Sequence, residues 1–221
     1  MGGPAPLRLP TDLASRRITI VDFDEALFRT HSIERHPIFY GKSGLPRFDA
    51  PDGSYEVLYA GGDPFCAFIE TFGHTTGTRI VTTTELTRKS LAELRPARAL
   101  RLIDLTERGA LVRIGADARL FSGDHNIAQL WSKALHDHPL NSDGLVYPSR
   151  LDPSRPAFAL FKDRAPSIVE LSREGWYAPG SQRQLLAQIL DHYAFELIEN
   201  RFVARRKPAE RVTQNLLDWE S

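Results

Sequence analysis

Residues 47–74 (RFDAPDGSYEVLYAGGDPFCAFIETFGH) predict a loop, a strand, a tight turn and a short helix, in that order. The apolar run at 57–60 is typical of a buried strand. The glycine pair at 61–62 allows a sharp change of chain direction. The Asp-Pro pair at 63–64 then begins a helix, because it supplies an N-cap side chain followed by a proline at the first helical position. We expect the helix to end at Gly73.

The predicted helix has one apolar face and carries a carboxylate beside it. Its apolar residues fall at i, i+3, i+4 and i+7, the spacing that places them on one face: Phe65, Phe68, Ile69 and Phe72. Glu70 is therefore held on a rigid element, with Tyr59 on the preceding strand and Arg47 on the loop before that strand. These three side chains, delivered by one compact unit, form the first candidate site.

Composition and charge exclude several classes of protein. With 221 residues, 42% hydrophobic and 25% charged, the chain is typical of one soluble globular domain. Lys+Arg 28 balance Asp+Glu 28, so no direct nucleic acid binding is expected. The single cysteine excludes an internal disulfide framework and fits a reducing cytosol. No apolar run approaches membrane-spanning length, so we expect a cytoplasmic protein with no membrane partner.

The rest of the chain is predicted to alternate short strands with a few helices. Strands are expected at 18–23, 26–31, 99–105, 144–149, 157–161 and 167–171. Residues 79–85 are expected to form a strand that gives way to a short helix. Longer helices are expected at 124–136 and 181–201. The fold class is therefore α+β, a single domain of short mixed strands with flanking helices. The expected boundaries are a flexible N-terminal arm at 1–17, the domain at 18–205 and a C-terminal tail at 206–221.

Taken singly, each candidate site residue also has an ordinary structural interpretation. Glu70 is a good helix former and fits an exposed helix surface. Tyr59 fits the core of a buried strand, and Arg47 fits a solvated loop. Ser149 ends a strand before a polar loop, a position where side chains often face a pocket, but this holds for many proteins.

Metal and nucleophile chemistry find little support in the sequence. His125, His136 and His138 have no accompanying cysteine pair, His-Glu-x-x-His motif or acidic calcium loop, so no metal is expected. Cys66 lies inside the predicted helix between phenylalanines, where a thiol tends to be inert. The sequence also lacks a Gly-x-Ser-x-Gly elbow, a Walker loop and a dinucleotide-binding glycine fingerprint.

Several motifs together resemble the RES-domain family, which takes its name from an Arg, a Glu and a Ser. They are Arg47-Phe48, the run at 57–60, Ala67 with Glu70, and GLVYPSR at 144–150. The resemblance covers roughly residues 25–165. It departs from the family's pattern in the residues that flank Arg47, since Leu45-Pro46 precede it and Asp49 follows Phe48.

The resemblance implies a fold, a substrate and a set of site residues. Its members are mostly toxins of bacterial toxin–antitoxin pairs that consume NAD and have an ADP-ribosyltransferase-like fold. It implies that Arg47, Tyr59, Glu70 and Ser149 bind and cleave NAD, which would be a substrate and not a recycled cofactor, and that the partner is a cognate antitoxin. The region 18–205 would then be a RES-like catalytic domain.

The chemistry of NAD cleavage gives these residue types matching roles. Breaking the nicotinamide–ribose bond passes through an oxocarbenium-like state that a carboxylate such as Glu70 stabilises. Arg47 suits a pyrophosphate, Tyr59 offers a ring for nicotinamide, and Ser149 offers a hydroxyl that orients the ribose or the amide.

The sequence is compatible with three functions. The first is an NAD glycohydrolase or phosphorylase, the second a mono-ADP-ribosyltransferase that modifies a protein target, and the third a catalytically inactive module that binds a nucleotide or a protein. Residue types do not separate hydrolysis from phosphorolysis, because they do not show the acceptor site.

Overall fold

A computed structural model describes residues 7–75 and 77–199 of the chain. The strands in this part are β1 (Ile20–Phe23), β2 (Leu27–Ser32), β3 (Val57–Gly61), β4 (Ile80–Thr82), β5 (Lys89–Pro96), β6 (Leu100–Asp104), β7 (Gly144–Pro148), β8 (Pro156–Phe161), β9 (Ile168–Gly175) and β10 (Glu196–Ile198). The α-helices are α1 (Pro64–Phe72), α2 (Thr83–Thr87), α3 (Ala110–Ile114), α4 (Arg119–Ser122), α5 (His125–His136) and α6 (Ser181–His192). A one-turn 3-10 helix, Leu13–Ser15, precedes β1.

Eight of the strands form one sheet, in the order β1-β6-β7-β8-β3-β2-β5-β9. Its neighbours pair antiparallel except β6 and β7, which are parallel. The two remaining strands, β4 and β10, form a small parallel pair. The strand predicted at 57–60 therefore lies in the interior of the main sheet, between β8 and β2.

Alternation along β3 directs its side chains to two different cores. Val57 packs into the first cluster, which includes Trp131 of α5, and Tyr59 lies against the same cluster. Leu58 and Ala60 face the second cluster, on the opposite side of the sheet. A third cluster is built from α1, α6 and the small sheet. The period of two thus places the Tyr59 ring on the side of the sheet that α5 covers.

The turn and helix after β3 form as the sequence predicts. The Asp63 carboxylate accepts a hydrogen bond of 2.7 Å from the Cys66 backbone N–H, with Pro64 at the first helical position and Gly73 at the C-cap. Gly61 is required by close packing, because a Cβ there would lie 2.8 Å from the Cys66 Cβ. The strand, turn and helix are therefore confirmed.

The end of the predicted helix 181–201 is wrong. Helix α6 ends at His192, Ala194 adopts a left-handed backbone with φ 54°, and the chain continues as β10. Leu197 kept the helical spacing, but in the structure it pairs with Val81 of β4 and packs on the third cluster. Residues 200 and 201 lie outside the described residues.

Two leucines of the segment expected to be an N-terminal arm are buried. Within the expected flexible arm at 1–17, Leu7 and Leu13 are buried in the first cluster, so the described part of that arm packs on the domain. Residues 1–6 and the expected tail at 206–221 lie outside the described residues. The fold class is confirmed as a mixed α+β single domain. In the described part of the chain, every helix is too short or too polar to cross a membrane.

Candidate active site

A cleft of about 450 Å³ opens between β3, α1 and the loop that carries Arg47. This volume falls in the range of small-molecule sites. Three of the sequence-predicted residues, Arg47, Tyr59 and Glu70, line the cleft. The fourth, Ser149, is buried behind its wall and contacts Glu70. The structure therefore brings all four together from a loop, a strand, a helix and a distant strand end.

The Ser149 hydroxyl holds the Glu70 carboxylate. It donates a hydrogen bond of 2.5 Å to Glu70 Oε1, and its oxygen accepts from the backbone N–H groups of Leu151 and Asp152 at 3.2 and 3.1 Å. Ser149 is only 1% exposed. These bonds fix the hydroxyl, and Glu70 Oε1 accepts its hydrogen bond. Glu70 lines the cleft, and the ion pairs among the described residues do not include it.

Arg47 is held by the end of a helix. Its Nη1 donates to the carbonyl oxygens of Gly123 and Leu120 at 2.9 and 3.4 Å, groups left without partners where α4 ends. Burial lowers the pKa of Arg47, and the nearby positive charge of Arg150 lowers it further. An arginine stays protonated at neutral pH even so. Arg47 forms no ion pair with a carboxylate of the described residues, so its charge is available to an anionic ligand.

The loop that carries Arg47 is anchored to α5. The Gln129 side-chain amide donates to the carbonyl oxygens of Gly44 and Pro46 at 2.7 and 3.0 Å. His125 Nδ1 lies 2.8 Å from the carbonyl oxygen of Leu45. Three successive backbone carbonyls are thus fixed directly before the arginine, which limits where its guanidinium can lie.

Tyr59 presents its ring to the cleft while its hydroxyl is engaged elsewhere. The hydroxyl donates to Asp49 Oδ1 at 2.9 Å and accepts from the Phe48 backbone N–H at 3.0 Å. Burial raises the pKa of Tyr59 well above its usual value. Asp49, one of the departures from the family's pattern, also accepts from the Gly44 backbone N–H at 3.0 Å. Asp49 therefore links the loop to β3.

Three further residues, for which the sequence predicts no role, line the cleft. Arg29 lies on β2, and its Nη1 donates to the carbonyl oxygen of Phe39 at 3.0 Å; burial lowers its pKa to about 10. Tyr147 of β7 and the exposed Arg150 also line the cleft. The sequence holds no local signal for Arg29, but Arg150 directly follows Ser149.

Cys66 and His136, the other residues considered for chemistry, contact neighbouring protein groups instead. Cys66 Sγ contacts the Pro156 carbonyl oxygen at 3.3 Å, and burial raises the pKa of its thiol to about 12, so the thiol is protonated at neutral pH. His136 stacks on Tyr55 at 4.1 Å and hydrogen bonds to Asp137 and Asp163. Across residues 7–75 and 77–199, no three His, Cys, Asp or Glu side chains group as metal ligands would.

Comparison with known proteins identifies the family. The RES domain model matches residues 25–185, a span that contains all four candidate residues. A curated relative named "Probable toxin y4kH", from Sinorhizobium fredii (strain NBRC 101917 / NGR234), is 35% identical over 115 residues, which is 52% of this chain and 87% of the relative.

A solved structure shares the fold. It is a chain of the crystal structure of the M. tuberculosis MbcT–MbcA toxin–antitoxin complex, with a TM-score of 0.56 and 17% identity over 81% of this chain and 100% of that chain. The family match spans most of the chain, so this chain belongs to the RES domain family.

Proposed function

We propose that this protein cleaves the bond between nicotinamide and ribose in NAD, as a glycohydrolase or phosphorylase, in the cytoplasm. The observation that carries the proposal is the Ser149–Glu70 hydrogen bond of 2.5 Å in the wall of a cleft that also presents the Arg47 guanidinium. A fixed carboxylate beside an unpaired cation suits a substrate that develops positive charge at a sugar and carries negative charge on phosphates.

Glu70 is assigned the central electrostatic role. As nicotinamide leaves, positive charge builds up on the ribose, and a preorganised carboxylate stabilises that charge without having to reorient. The hydrogen bond from Ser149 occupies Oε1, so Oε2 is the oxygen assigned to the ribose. Because Ser149 is a neutral donor, it fixes the carboxylate and leaves its negative charge in place.

The arginines are assigned to the diphosphate. Arg29, Arg47 and Arg150 line the cleft, and none of them forms an ion pair with a carboxylate of the described residues. Guanidinium groups donate paired hydrogen bonds to phosphate oxygens, and these bonds are strengthened by the charges on both partners. The Tyr59 ring, with its hydroxyl turned away to Asp49, is left to stack on the nicotinamide.

The biological role proposed is that of a toxin held in check by a cognate antitoxin. Two comparisons support it: the curated relative is named as a probable toxin, and the solved chain with the shared fold was crystallised in a toxin–antitoxin complex. A mono-ADP-ribosyltransferase would use the same cleft and differ only in the acceptor that attacks the ribose.

The test is incubation of the purified protein with NAD, with and without inorganic phosphate, followed by identification of the products. Release of nicotinamide with ADP-ribose indicates hydrolysis, and a phosphate-dependent ADP-ribose phosphate indicates phosphorolysis. Radiolabel transferred to protein would favour the transferase. If no nicotinamide is released in any condition, the enzymatic proposal is wrong.

A further inference from the structure

A second cavity of about 570 Å³ adjoins the cleft. It is lined by the loop that follows β6, by α3 and α4, and by the loop that follows β7. Phe121, Pro148 and Arg150 line both the cleft and the second cavity. Ser149 lines the second cavity, while its hydroxyl bonds to Glu70 of the cleft. The two spaces therefore adjoin along one short segment, 148–150.

The acidic residues of the second cavity are neutralised by their neighbours. Glu107 accepts from the Thr19 hydroxyl and is paired with Arg113, and these partners hold its pKa below the usual value. Asp117 is paired with Arg119 at 2.6 Å, and its pKa is lowered by that hydrogen bond. A ligand that carries phosphates is consequently not repelled by these two carboxylates.

The remaining lining suits a flat aromatic group with polar edges. Leu111, Val112, Ala116 and Phe121 supply apolar surface, and Phe121 lies with its ring near parallel to that of Tyr147, at 18°. A largely apolar space with a few polar groups at its edge is the usual form of a small-molecule site. Nucleobases have this character, with a flat face and an amino group at the rim.

The boundary between the two spaces is cationic. Arg150 is exposed and makes no hydrogen bond or ion pair with other described residues. The positive charge of Arg150 contributes to the lowered pKa of Arg47, which lies on the cleft side. Two like charges held near each other suit a doubly anionic group that bridges both spaces.

We propose that the second cavity binds the adenosine half of NAD, with the diphosphate at Arg150 and the nicotinamide half in the cleft. This inference rests on the proposed function and specifies which half of NAD each of the two spaces binds. A dinucleotide has two ring–sugar halves joined by a diphosphate, and the protein offers two compartments joined at an arginine. Nicotinamide release then depends on the cleft, and recognition of the rest of the substrate depends on the second cavity.

The test uses ADP, which carries the adenosine and the diphosphate but no nicotinamide. Calorimetry measures its binding to the wild type, to Ala118→Trp and to Val112→Trp, which place bulk in the second cavity at exposed positions outside the catalytic set; Val112 is 79% exposed, so its substitution leaves the core intact. The matched control is Ala187→Trp, on the exposed face of α6 and outside both spaces. Thermal unfolding confirms that each variant is folded.

We expect each cavity variant to weaken ADP binding by about tenfold or more and to raise KM for NAD by a similar factor, with kcat within about twofold of the wild type. Ala187→Trp should match the wild type. The inference is overturned if ADP does not bind the wild type, or if both cavity variants bind ADP as the wild type does. ADP binding without nicotinamide release would instead refute the proposed function and leave the second cavity as a nucleotide site.

Discussion

The hydroxyl of Ser149 and the carboxylate of Glu70 are joined by a hydrogen bond of 2.5 Å across 79 residues of sequence. Glu70 is placed by α1, which follows the central strand β3, and Ser149 is placed directly after β7. Between β3 and β7 lies only β8, so the sheet itself brings the two residues together. The order of the strands in the sheet thus explains why Glu70 and Ser149 are close in space.

The first prediction concerns Ser149→Ala. The substitution removes the donor to Glu70 and the acceptor for the N–H groups of Leu151 and Asp152. Leaving such groups without partners costs about 1–3 kcal/mol of stability, measured by urea unfolding. Nicotinamide release should also slow, because Glu70 loses its fixed orientation. The control Ser167→Ala, at an exposed position, should change neither. Unchanged stability and rate in Ser149→Ala would show that the pair has no role.

The second prediction concerns Glu70→Gln. Glutamine keeps the shape of the side chain and removes its negative charge, so the loss should fall on turnover more than on binding. We expect nicotinamide release to slow by about a hundredfold or more, with NAD binding retained. Glu174→Gln, at an exposed position on β9, is the matched control and should keep the wild-type rate. A rate in Glu70→Gln close to wild type would remove Glu70 from the mechanism.

The third prediction concerns Arg47→Lys. Lysine keeps the charge but loses the planar fork that donates to two oxygens at once. It cannot reproduce both the bonds to the end of α4 and those to a diphosphate. We expect NAD binding to weaken by about tenfold or more, measured by calorimetry, with the fold unchanged, checked by circular dichroism. Arg95→Lys, at an exposed position of β5, serves as the control. Equal dissociation constants for Arg47→Lys and wild type would contradict the assignment.

The fourth prediction concerns growth. Expression of this protein in a bacterium should lower cellular NAD and arrest growth, and co-expression of a small helical protein encoded beside it should restore both. Expression of Glu70→Gln at the same level separates loss of NAD from the burden of making the protein. Normal growth with normal NAD, at verified soluble expression of the wild type, would count against the toxin proposal.

The parts of the site that sequence predicts are those with local signals. The strand, turn and helix from Val57 to Phe72 depend on alternation, an N-cap and helical spacing, all of which act within a few residues. The pairing of Glu70 with Ser149 has no such signal, since it depends on strand order; the family resemblance implies both as site residues but not the hydrogen bond between them. Arg29 is not predicted for the same reason, because the sequence of β2 contains no signal that Arg29 lines a cleft.

The fold departs from prediction where tertiary pairing overrides a local pattern. No strand is predicted at 89–96, yet β5 forms there and pairs with β2 and β9 from distant parts of the chain. Leu197 fitted a helical spacing but pairs in β10. In both cases the partners that decide the structure lie far away in sequence, where a periodicity argument does not reach.

The fifth prediction concerns the pH dependence that Asp49 introduces. Asp49 is 1% exposed, and burial raises its pKa above the ordinary value of 3.8, outweighing the hydrogen bonds from Tyr59 and the Gly44 N–H. The folded protein therefore binds this proton more tightly than the unfolded chain does. It follows that the contribution of Asp49 to stability falls as pH rises from 3.8 through the raised folded pKa, and is constant above it.

Asp49→Asn isolates this effect, because asparagine keeps an oxygen that can accept from the Tyr59 hydroxyl and cannot ionise. We expect the free energy of unfolding of the wild type, minus that of Asp49→Asn, to decrease with pH over the acidic range and then to level off. Urea unfolding at a series of pH values measures it. The exposed Asp22→Asn on β1 is the control and should show no such decrease. A difference that rises with pH would mean that the hydrogen bonds to the carboxylate outweigh its burial.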